Sequence, residues 1–296
     1  MKVLEVSNLT KYYGKILGVK DVSFSVEEGE IFGFLGSNGA GKTTTIRLLM
    51  NLLRGKKGNI SFFGTPLQKN PVKLRERIGY LPGDFDPYRE MTGVNFLKYM
   101  AKYRNRSPVL REKLINKLKL SIQDISQKTK YLSHGTRQKL GLVLAFEFDP
   151  DLAILDEPTI GLDPLMQETF YEIIWDFQKR GKTIFLSSHI LPEVEKVCHR
   201  VAIIRKGEIV ALESIENLRE KRPRRMTIEL TKAIKENPIT FTGVKLLNQT
   251  NSRFEYLIES DIPRLLIELG KLPIKDIIFP EPDLEDIFLD YYSDKN

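Results

Sequence analysis

The chain has 296 residues, long enough for one large domain or two modest ones with an ample core. Its contents of 41% hydrophobic and 29% charged residues are ordinary for a soluble globular protein, and no stretch approaches the roughly 18 uninterrupted apolar residues of a membrane span. The single cysteine, Cys198, excludes an intrachain disulfide, and we interpret it as a small buried side chain on a helix. The net charge of +7 fits nucleic acid, an anionic membrane surface or a solvated basic face, so it decides nothing alone.

The N-terminal segment is predicted to form strands and one helix. Apolar and polar residues alternate over Val3–Val6 and Val22–Val26, which predicts half-exposed antiparallel strands. The short apolar run Ile31–Leu35 predicts a buried strand, and Thr44–Leu53 has the apolar pattern of a helix. Ile60–Phe63, which lies between glycines, predicts another short strand.

A glycine-rich loop joins the predicted buried strand to the helix after it. Its sequence, Gly-Ser-Asn-Gly-Ala-Gly-Lys-Thr-Thr, fits the phosphate-binding pattern G-x-x-x-x-G-K-[ST] at every fixed position. The glycines let the backbone curl into a concave anion site, the lysine offers a positive charge to the β- and γ-phosphates, and the next threonine hydroxyl can coordinate Mg²⁺. The candidate nucleotide ligands are Gly36, Ser37, Asn38, Gly39, Ala40, Gly41, Lys42, Thr43 and Thr44. The flanking strand and helix make an accidental match a poor alternative.

The middle of the chain is predicted to alternate between helices and strands. Val94 to Leu120 has a helical and strongly basic pattern, which usually marks a solvated helix face. Three helices and three apolar strands then follow in turn: Thr136–Phe146, Leu152–Leu155, Pro164–Arg180, Thr183–Ser187, Leu191–His199 and Val201–Ile204. This alternation predicts a largely parallel α/β sheet.

Two carboxylates, Asp156 and Glu157, directly follow the apolar strand Leu152–Leu155. Open α/β sheets bind ligands at the carboxyl ends of their strands, so Asp156 is suited to the Mg²⁺ shell and Glu157 to polarising an attacking water. His189 ends another apolar strand and is a candidate for contacting the γ-phosphate or for holding the water and the acid in register. The alternatives are structural: an acid pair that caps a strand before the Pro158 turn, and a lone histidine at a strand end.

The C-terminal part is predicted to be a separate small α+β domain. The basic segment Arg219–Arg225, which contains a proline, has the composition of a linker. Four strands and two helices are predicted after it: strands at Met226–Leu230, Val244–Asn248, Phe254–Glu259 and Ile274–Phe279, and helices at Ile262–Leu269 and Asp283–Tyr292.

Several further motifs point to one family. Leu132–Gln138 reads Leu-Ser-His-Gly-Thr-Arg-Gln, similar to the family signature Leu-Ser-Gly-Gly-Gln, and Gly161–Pro164 matches the D-loop. His189 matches the switch histidine, and Tyr13 lies where the family stacks an aromatic ring on adenine. Over roughly Met1–Glu220 the chain resembles the nucleotide-binding subunit of an ATP-binding cassette (ABC) transporter.

This resemblance implies a fold and a domain organisation. The expected fold is α/β: a P-loop NTPase of the ABC type with a mixed sheet core, an antiparallel β subdomain and a helical subdomain at about 84–148. The expected ATP-binding domain covers residues 1–220, and a small α+β accessory domain covers 226–296.

The resemblance also implies how one subunit would bind and hydrolyse ATP. Tyr13 and the glycine-rich loop would hold the nucleotide, and Thr43 and Asp156 would coordinate Mg²⁺. Glu157 and His189 would then promote in-line attack by water on the γ-phosphate.

An opposing subunit would complete the site. Its Ser133 and the backbone N–H of its Gly135 would cap the γ-phosphate, and Asp163 would touch the partner loop. Because the chain has one phosphate loop and one signature, we expect it to pair with a second cassette, most simply a second copy of itself.

Two departures from the family pattern stand out. His134 replaces the first signature glycine and Thr136 replaces the glutamine, but the serine and glycine with a phosphate role are retained. Gly83 stands where the family commonly has a glutamine that reaches Mg²⁺. Either Asp84 substitutes for it or water fills the metal shell, and we hypothesise weaker Mg²⁺ coordination.

The leading functional hypothesis is ATP-driven transport through a separately encoded integral membrane permease. The C-terminal extension resembles that of ATPases serving bacterial drug- and antibiotic-type exporters, which favours export. The expected location is cytoplasmic and peripheral, on the inner face of the cell membrane, with no nucleic acid as a partner. The alternatives are a soluble ABC ATPase that acts on nucleic acid or ribosomes, which the basic helical region would suit, and a regulatory cassette that binds nucleotide without hydrolysis.

Overall fold

The computed structural model describes residues 1–220, 224–234, 236–259 and 262–280. The chain divides into two compact units, Met1–Ile215 and Glu216–Asn296. In chain order the first unit contains β1 (Lys2–Tyr13), β2 (Ile16–Glu27), β3 (Ile31–Leu35), α1 (Lys42–Leu49), β4 (Lys57–Phe62), β5 (Thr65–Pro66), α2 (Pro71–Glu76), β6 (Ile78–Leu81), α3 (Gly93–Arg104), α4 (Arg111–Lys117), α5 (Ile122–Ser126), α6 (His134–Phe146), β7 (Leu152–Asp156), α7 (Pro164–Lys179), β8 (Thr183–Ser188), α8 (Leu191–Val197), β9 (Arg200–Arg205) and β10 (Glu208–Ser214). Helix α9 (Ile215–Glu220) follows at the division between the units. None of the helices in the described ranges has both the length and the apolar content that crossing a bilayer requires.

Six strands form the central sheet of the first unit, in the order β10-β9-β3-β8-β7-β6. All neighbouring pairs are parallel except β9 and β10, so the predicted, largely parallel sheet is confirmed. Strands β3, β7 and β8 are buried along their whole length, which explains why each contains a continuous apolar run instead of an alternating pattern. Because these three strands are parallel neighbours, the segments that follow them meet at one end of the sheet.

An antiparallel sheet, in the order β2-β1-β4-β5, forms a second layer. The Phe24 ring on β2 lies 5.5 Å between centroids from Phe32 and from Phe34, and 5.8 Å from Phe185. All four rings are buried in one apolar cluster that contains residues of both sheets. Aromatic side chains bury about 150–250 Å² each, so this cluster is a large part of what holds the two layers together.

The predicted helical region Val94–Leu120 contains two helices, α3 and α4. Helix α3 ends at Arg104, because its C-cap Asn105 has a left-handed φ of 49°, and α4 begins only at Arg111. Pro108 lies between the two helices and disfavours a helical backbone at the residue before it. Both halves of the predicted helical region are thus helical, with a break between them.

The helix after the glycine-rich loop begins earlier than predicted. It covers Lys42–Leu49 and not Thr44–Leu53, because Gly41, with a left-handed φ of 113°, is its N-cap. The first helical residues therefore belong to the loop motif itself. Their polar side chains gave no apolar pattern from which to place the helix start.

Cys198 lies just beyond a helix and not on it. The helix predicted over Leu191–His199 ends at Val197, and Cys198 is its C-cap. The thiol is buried, and burial raises its pKa well above the ordinary value. This agrees with the interpretation of Cys198 as a packing residue, because the thiolate is the reactive form.

The second unit is a small antiparallel sheet with one described helix. Its elements are β11 (Arg224–Leu230), β12 (Val244–Thr250), β13 (Arg253–Ile258), α10 (Ile262–Leu269) and β14 (Ile274–Ile278). The sheet order is β12-β13-β11-β14, over a core of its own that includes Ile228, Phe254 and Tyr256. The predicted linker was wrong at its end, because Arg224 and Arg225 belong to β11. The predicted helix Asp283–Tyr292 lies outside the described residues.

Candidate functional site

The glycine-rich loop runs from the end of β3 into α1, and its turns require glycine. Gly39 and Gly41 have φ angles of 80° and 113°, which side chains rarely tolerate. A Cβ atom on Gly36 would lie 2.7 Å from the Ile204 carbonyl oxygen, and one on Gly41 would lie 2.9 Å from that of Gly18. The tight path of the loop is therefore fixed by absent side chains.

Lys42 places a positive charge inside this loop. Its Nζ donates hydrogen bonds to the Gly36 carbonyl oxygen at 2.7 Å and to that of Ser37 at 3.3 Å. It also lies 3.0 Å from Glu157 Oε1, and its side chain is only 4% exposed. A buried ammonium group in a phosphate-sized loop is suited to binding the β- and γ-phosphates of a nucleotide.

Asp156, at the end of β7, is the best candidate for a metal ligand. Its Oδ1 accepts a 2.5 Å hydrogen bond from Ser187 Oγ, whereas its buried Oδ2 accepts none from the described residues. Burial raises the pKa of Asp156, and the hydrogen bond from Ser187 and the neighbouring Thr43 hydroxyl oppose that rise. An unpaired buried carboxylate oxygen beside a threonine hydroxyl is the oxygen-rich environment that Mg²⁺ prefers.

Among the described residues, no group of three or more acidic, histidine or cysteine side chains is arranged so that it could hold a metal ion. A Mg²⁺ ion at Asp156 and Thr43 would therefore take its other ligands from phosphate oxygens and water, as Mg²⁺ commonly does in nucleotide sites.

Glu157 is held between two other site residues. Its Oε1 is paired with Lys42 and its Oε2 lies 3.0 Å from His189 Nδ1. Its backbone N–H donates to Ser187 Oγ at 3.0 Å, and its φ of 49° lies in the left-handed region. Three of the predicted residues, Lys42, Glu157 and His189, are thus joined in one chain of contacts at the carboxyl ends of β3, β7 and β8.

Tyr13 lies beside the loop, as the resemblance implied. Its ring is 44% exposed, and its hydroxyl lies 3.4 Å from Thr44 Oγ1. It lines a groove of about 220 Å³ together with Gly18, Asn38 and other loop residues. The exposed ring beside the loop can stack on a base, whereas Tyr12 lies next to Lys56 and is not among the residues that line this groove.

The signature segment forms the first turn of α6. Ser133 is exposed and caps this helix, since its Oγ accepts the Thr136 N–H at 3.1 Å. The Gly135 backbone lies against the D-loop, because a Cβ atom there would be 2.7 Å from the Gly161 carbonyl oxygen. Asp163 is also exposed, and its Oδ1 accepts the Met166 N–H at 2.9 Å. The signature and the D-loop therefore contact each other. They are not part of the chain of contacts that joins Lys42 to Glu157 and His189.

His134 and Gln138 connect the same segments. The His134 ring lies against Gly161, where a Cβ atom would be 2.1 Å from the ring carbon Cδ2. Gln138 Nε2 donates to the Pro158 carbonyl oxygen at 3.0 Å. The signature helix is thus bound within its own chain to the loop that follows Glu157.

Asp84 is not directed toward the candidate metal ligands. Its Oδ2 pairs with Arg47 at 2.9 Å, and its side chain is 72% exposed. Gly83, in contrast, lies next to Asp156, since a Cβ atom there would be 3.2 Å from Asp156 Oδ2. Either Asp84 or water was expected to take the place of the missing glutamine near Mg²⁺. The position of the Asp84 side chain favours water. Weaker Mg²⁺ coordination stays a prediction.

Sequence reasoning missed Ser187, which contacts both acids, and Gln138. The only signal for Ser187 was its place: a polar residue at the carboxyl end of a buried strand, two positions before His189.

Known proteins match this chain over most of its length. A family profile described as "ABC transporter" matches residues 19–160. The bacitracin transport ATP-binding protein BcrA of Bacillus licheniformis is 32% identical, and the alignment covers 97% of this chain and 96% of that protein. The Nod factor export ATP-binding protein I of Burkholderia orbicola (strain AU 1054) is 37% identical over 70% of this chain and 69% of its own length.

A solved structure described as "Structure of ATP binding subunit of ABC transporter" superposes with a TM-score of 0.68 at 32% identity, over 73% of this chain and 92% of its own. The resemblance and the fold class that the motifs implied are thereby confirmed. The chain belongs to the ABC transporter family, as an ATP-binding subunit with ATPase activity.

Proposed function

We propose that this subunit hydrolyses MgATP to power export of a substrate through a separate integral membrane permease, acting as a homodimer. One relative is named for bacitracin transport and its alignment covers both units of this chain; another is named for Nod factor export. The observation that carries the hydrolytic part is the position of the Glu157 carboxylate, 3.0 Å from both Lys42 Nζ and His189 Nδ1.

In the proposed mechanism, Tyr13 stacks on the base and Lys42 holds the β- and γ-phosphates. Bound Mg²⁺, held by Thr43 and Asp156, would neutralise phosphate charge. Glu157 accepts a proton from the attacking water while the water oxygen bonds to the γ-phosphorus. The bond between the γ-phosphorus and the bridging oxygen breaks at the same time, which releases ADP.

Exposed residues around the signature support pairing of two cassettes. Ser133 and Asp163 are both exposed, and the contact of Gly135 with Gly161 places the two motifs side by side on one surface. Leu165, next to them, is 60% exposed, so the patch has an apolar part as well. A surface of this composition fits a second copy that supplies phosphate oxygens to Ser133 and to the Gly135 N–H.

A groove beside the central sheet is the proposed permease contact. It has a volume of about 430 Å³ and is lined mainly by aromatic and apolar residues from β6, from α3 and from the segment between them, among them Tyr80, Phe85, Tyr88, Phe96 and Met100. Clefts of this kind accept an apolar or amphipathic segment of a partner. Docking there would hold the subunit on the cytoplasmic, inner face of the membrane. In this proposal residues 1–220 are the ATP-binding domain, with its helical subdomain at about 84–148, and residues 226–296 the accessory domain.

The hydrolytic role is tested with Glu157→Gln. This variant should bind ATP, form stable dimers in its presence and release phosphate at least about a hundredfold more slowly, because its amide cannot accept the proton of water. The matched control is Glu168→Gln, which alters an exposed carboxylate paired with Lys196. Phosphate release by Glu157→Gln near the parent rate would remove Glu157 from catalysis.

The transport role is tested by isolating the tagged Glu157→Gln chain from membranes in ATP and identifying what co-purifies. A protein with about six spans is expected. Inverted vesicles that hold both proteins should take up substrate only with hydrolysable ATP. Recovery of the chain with RNA or DNA in a salt-sensitive complex, and no spanning protein, would favour the non-transport alternative.

A further inference from the structure

The end of β8 contacts both acids of the hydrolytic site and the start of the phosphate loop. Ser187 is fully buried, and its hydroxyl donates to Asp156 Oδ1 at 2.5 Å while it accepts the Glu157 backbone N–H at 3.0 Å. A hydroxyl can do both at once, because it has one donor and two acceptor positions. This one side chain therefore touches both acids, one through its carboxylate and the other through its main chain.

The two residues after Ser187 extend this contact to the phosphate loop. The Ser188 carbonyl oxygen accepts the Gly36 N–H at 3.2 Å, and His189 Nδ1 lies 3.0 Å from Glu157 Oε2. Ser188 Oγ is itself fixed by a 2.8 Å hydrogen bond to the buried Glu193 carboxylate. The backbone that carries Ser187 is thus held on both sides.

Glu157 needs such a restraint. Its φ of 49° is a left-handed conformation that is unfavourable for a residue with a side chain. The hydrogen bond from its N–H to Ser187 holds the backbone in this conformation, from which the carboxylate reaches both Lys42 and His189. At the same time the bond to Asp156 Oδ1 leaves Oδ2 as the free oxygen.

We propose that Ser187 is a positioning residue for hydrolysis: its hydroxyl couples the orientation of the metal-binding carboxylate of Asp156 to the backbone conformation that aims Glu157. This inference rests on the proposed roles of Asp156 and Glu157. Ser187 touches neither water nor phosphate in this scheme, and it acts only through the two acids.

The test is Ser187→Ala in the full-length chain. Loss of a hydrogen bond to a charged group typically weakens a site by tenfold or more, so kcat is expected to fall at least about tenfold. The KM for ATP should change less, because Tyr13 and the loop still bind the nucleotide. Equilibrium binding of a fluorescent ATP analogue should need about tenfold more Mg²⁺ for half-saturation, while binding without Mg²⁺ should equal that of the parent.

Two further variants separate positioning from packing. Ser187→Thr keeps the hydroxyl and should recover most of the turnover and of the Mg²⁺ dependence. Thr183→Val, on the same strand, removes a buried hydroxyl that accepts the Gly29 N–H at 3.0 Å and contacts neither acid, so it should lower stability without changing kcat or the Mg²⁺ dependence.

The inference is overturned if Ser187→Ala matches the parent in turnover and Mg²⁺ dependence, or if Ser187→Thr or Thr183→Val loses as much as Ser187→Ala. A Glu157→Gln variant that still hydrolysed ATP would instead overturn the proposed site. An inactive Glu157→Gln beside a fully active Ser187→Ala would overturn this inference alone.

Discussion

At the scale of single residues, the space beside the Asp156 carboxylate is restricted. A Cβ atom at Gly83 would lie 3.2 Å from Oδ2 and 3.3 Å from Cγ of Asp156, closer than ordinary van der Waals contact. The carboxylate has little freedom to retreat, because Ser187 holds its other oxygen. Because Gly83 has no side chain, the approach to Asp156 Oδ2, the oxygen suited to a cation, stays open. A longer side chain at this position would obstruct it.

Gly83→Ala is therefore expected to weaken Mg²⁺-dependent nucleotide binding by about tenfold, since an added methyl in a packed site typically costs about 1–3 kcal/mol. Titration of a fluorescent ATP analogue at a series of Mg²⁺ concentrations measures this, and binding without Mg²⁺ should not change. Gly270→Ala is the control, because its Cβ atom would meet nothing closer than 3.5 Å. Unaltered Mg²⁺ dependence in Gly83→Ala would contradict this prediction, because it would show that the Asp156 carboxylate can move away from the added methyl group.

Contacts between elements explain the unusual histidine in the signature. The His134 ring, at the start of α6, occupies the space where any side chain at Gly161 would lie, only 2.1 Å from the position of its Cβ atom. Gln138, one turn further along α6, is bound to the Pro158 carbonyl oxygen. Helix α6 and the segment that leads into α7 therefore pack as one body, and the histidine fills the gap beside a glycine that must remain a glycine.

Gly161→Ala should destabilise the chain more than Gly181→Ala does. Both glycines have left-handed φ angles, 78° and 77°, so the backbone strain of alanine is matched, but Gly181 has nothing within 4 Å of its Cβ position. We expect Gly161→Ala to lower the free energy of unfolding by about 1–3 kcal/mol more, through overpacking against His134. Urea unfolding measures the difference.

The cause is checked by adding His134→Gly to Gly161→Ala, which should recover most of the excess loss. An equal cost at the two glycines, or no recovery in the double variant, would contradict the proposed contact between the signature and the D-loop.

How far the sequence predicts the elements depends on what marks their ends. Strands β3, β7 and β8 were predicted closely because they are fully buried and each contains a continuous apolar run. Helix α1 was misplaced because its first turn is the polar Lys42 and Thr43 of the loop. The break within the basic helical region was not predicted, because the left-handed Asn105 that caps α3 leaves no trace in the hydrophobic pattern.

In the candidate site, too, residues that a local motif marks were predicted, and residues that only the fold brings together were not. The loop, both acids and His189 were predicted from motifs, because each belongs to a local sequence pattern. Ser187, whose role depends on strand β8 lying beside β7, and the packing of His134 on Gly161 arise only from contacts between segments distant in the chain. No local pattern could have placed them.

At the scale of the whole molecule, the two units have separate apolar cores. Phe185 belongs to the cluster of the first unit and Phe254 to that of the second, and both side chains are fully buried. All the candidate nucleotide and hydrolysis residues lie within Met1–Ile215. Two cores of this kind predict two unfolding transitions, of which only one is linked to nucleotide.

Differential scanning calorimetry of the full-length chain tests this prediction. ATP with Mg²⁺ at about 100 times its Kd should stabilise one transition by about 2.7 kcal/mol and leave the other unchanged. Phe254→Ala should lower only the nucleotide-insensitive transition, and Phe185→Ala only the sensitive one, each by about 3–5 kcal/mol because a buried ring is replaced by a cavity. A single transition that shifts as a whole with ATP, or that both substitutions lower equally, would show that the accessory domain unfolds as part of the ATP-binding domain.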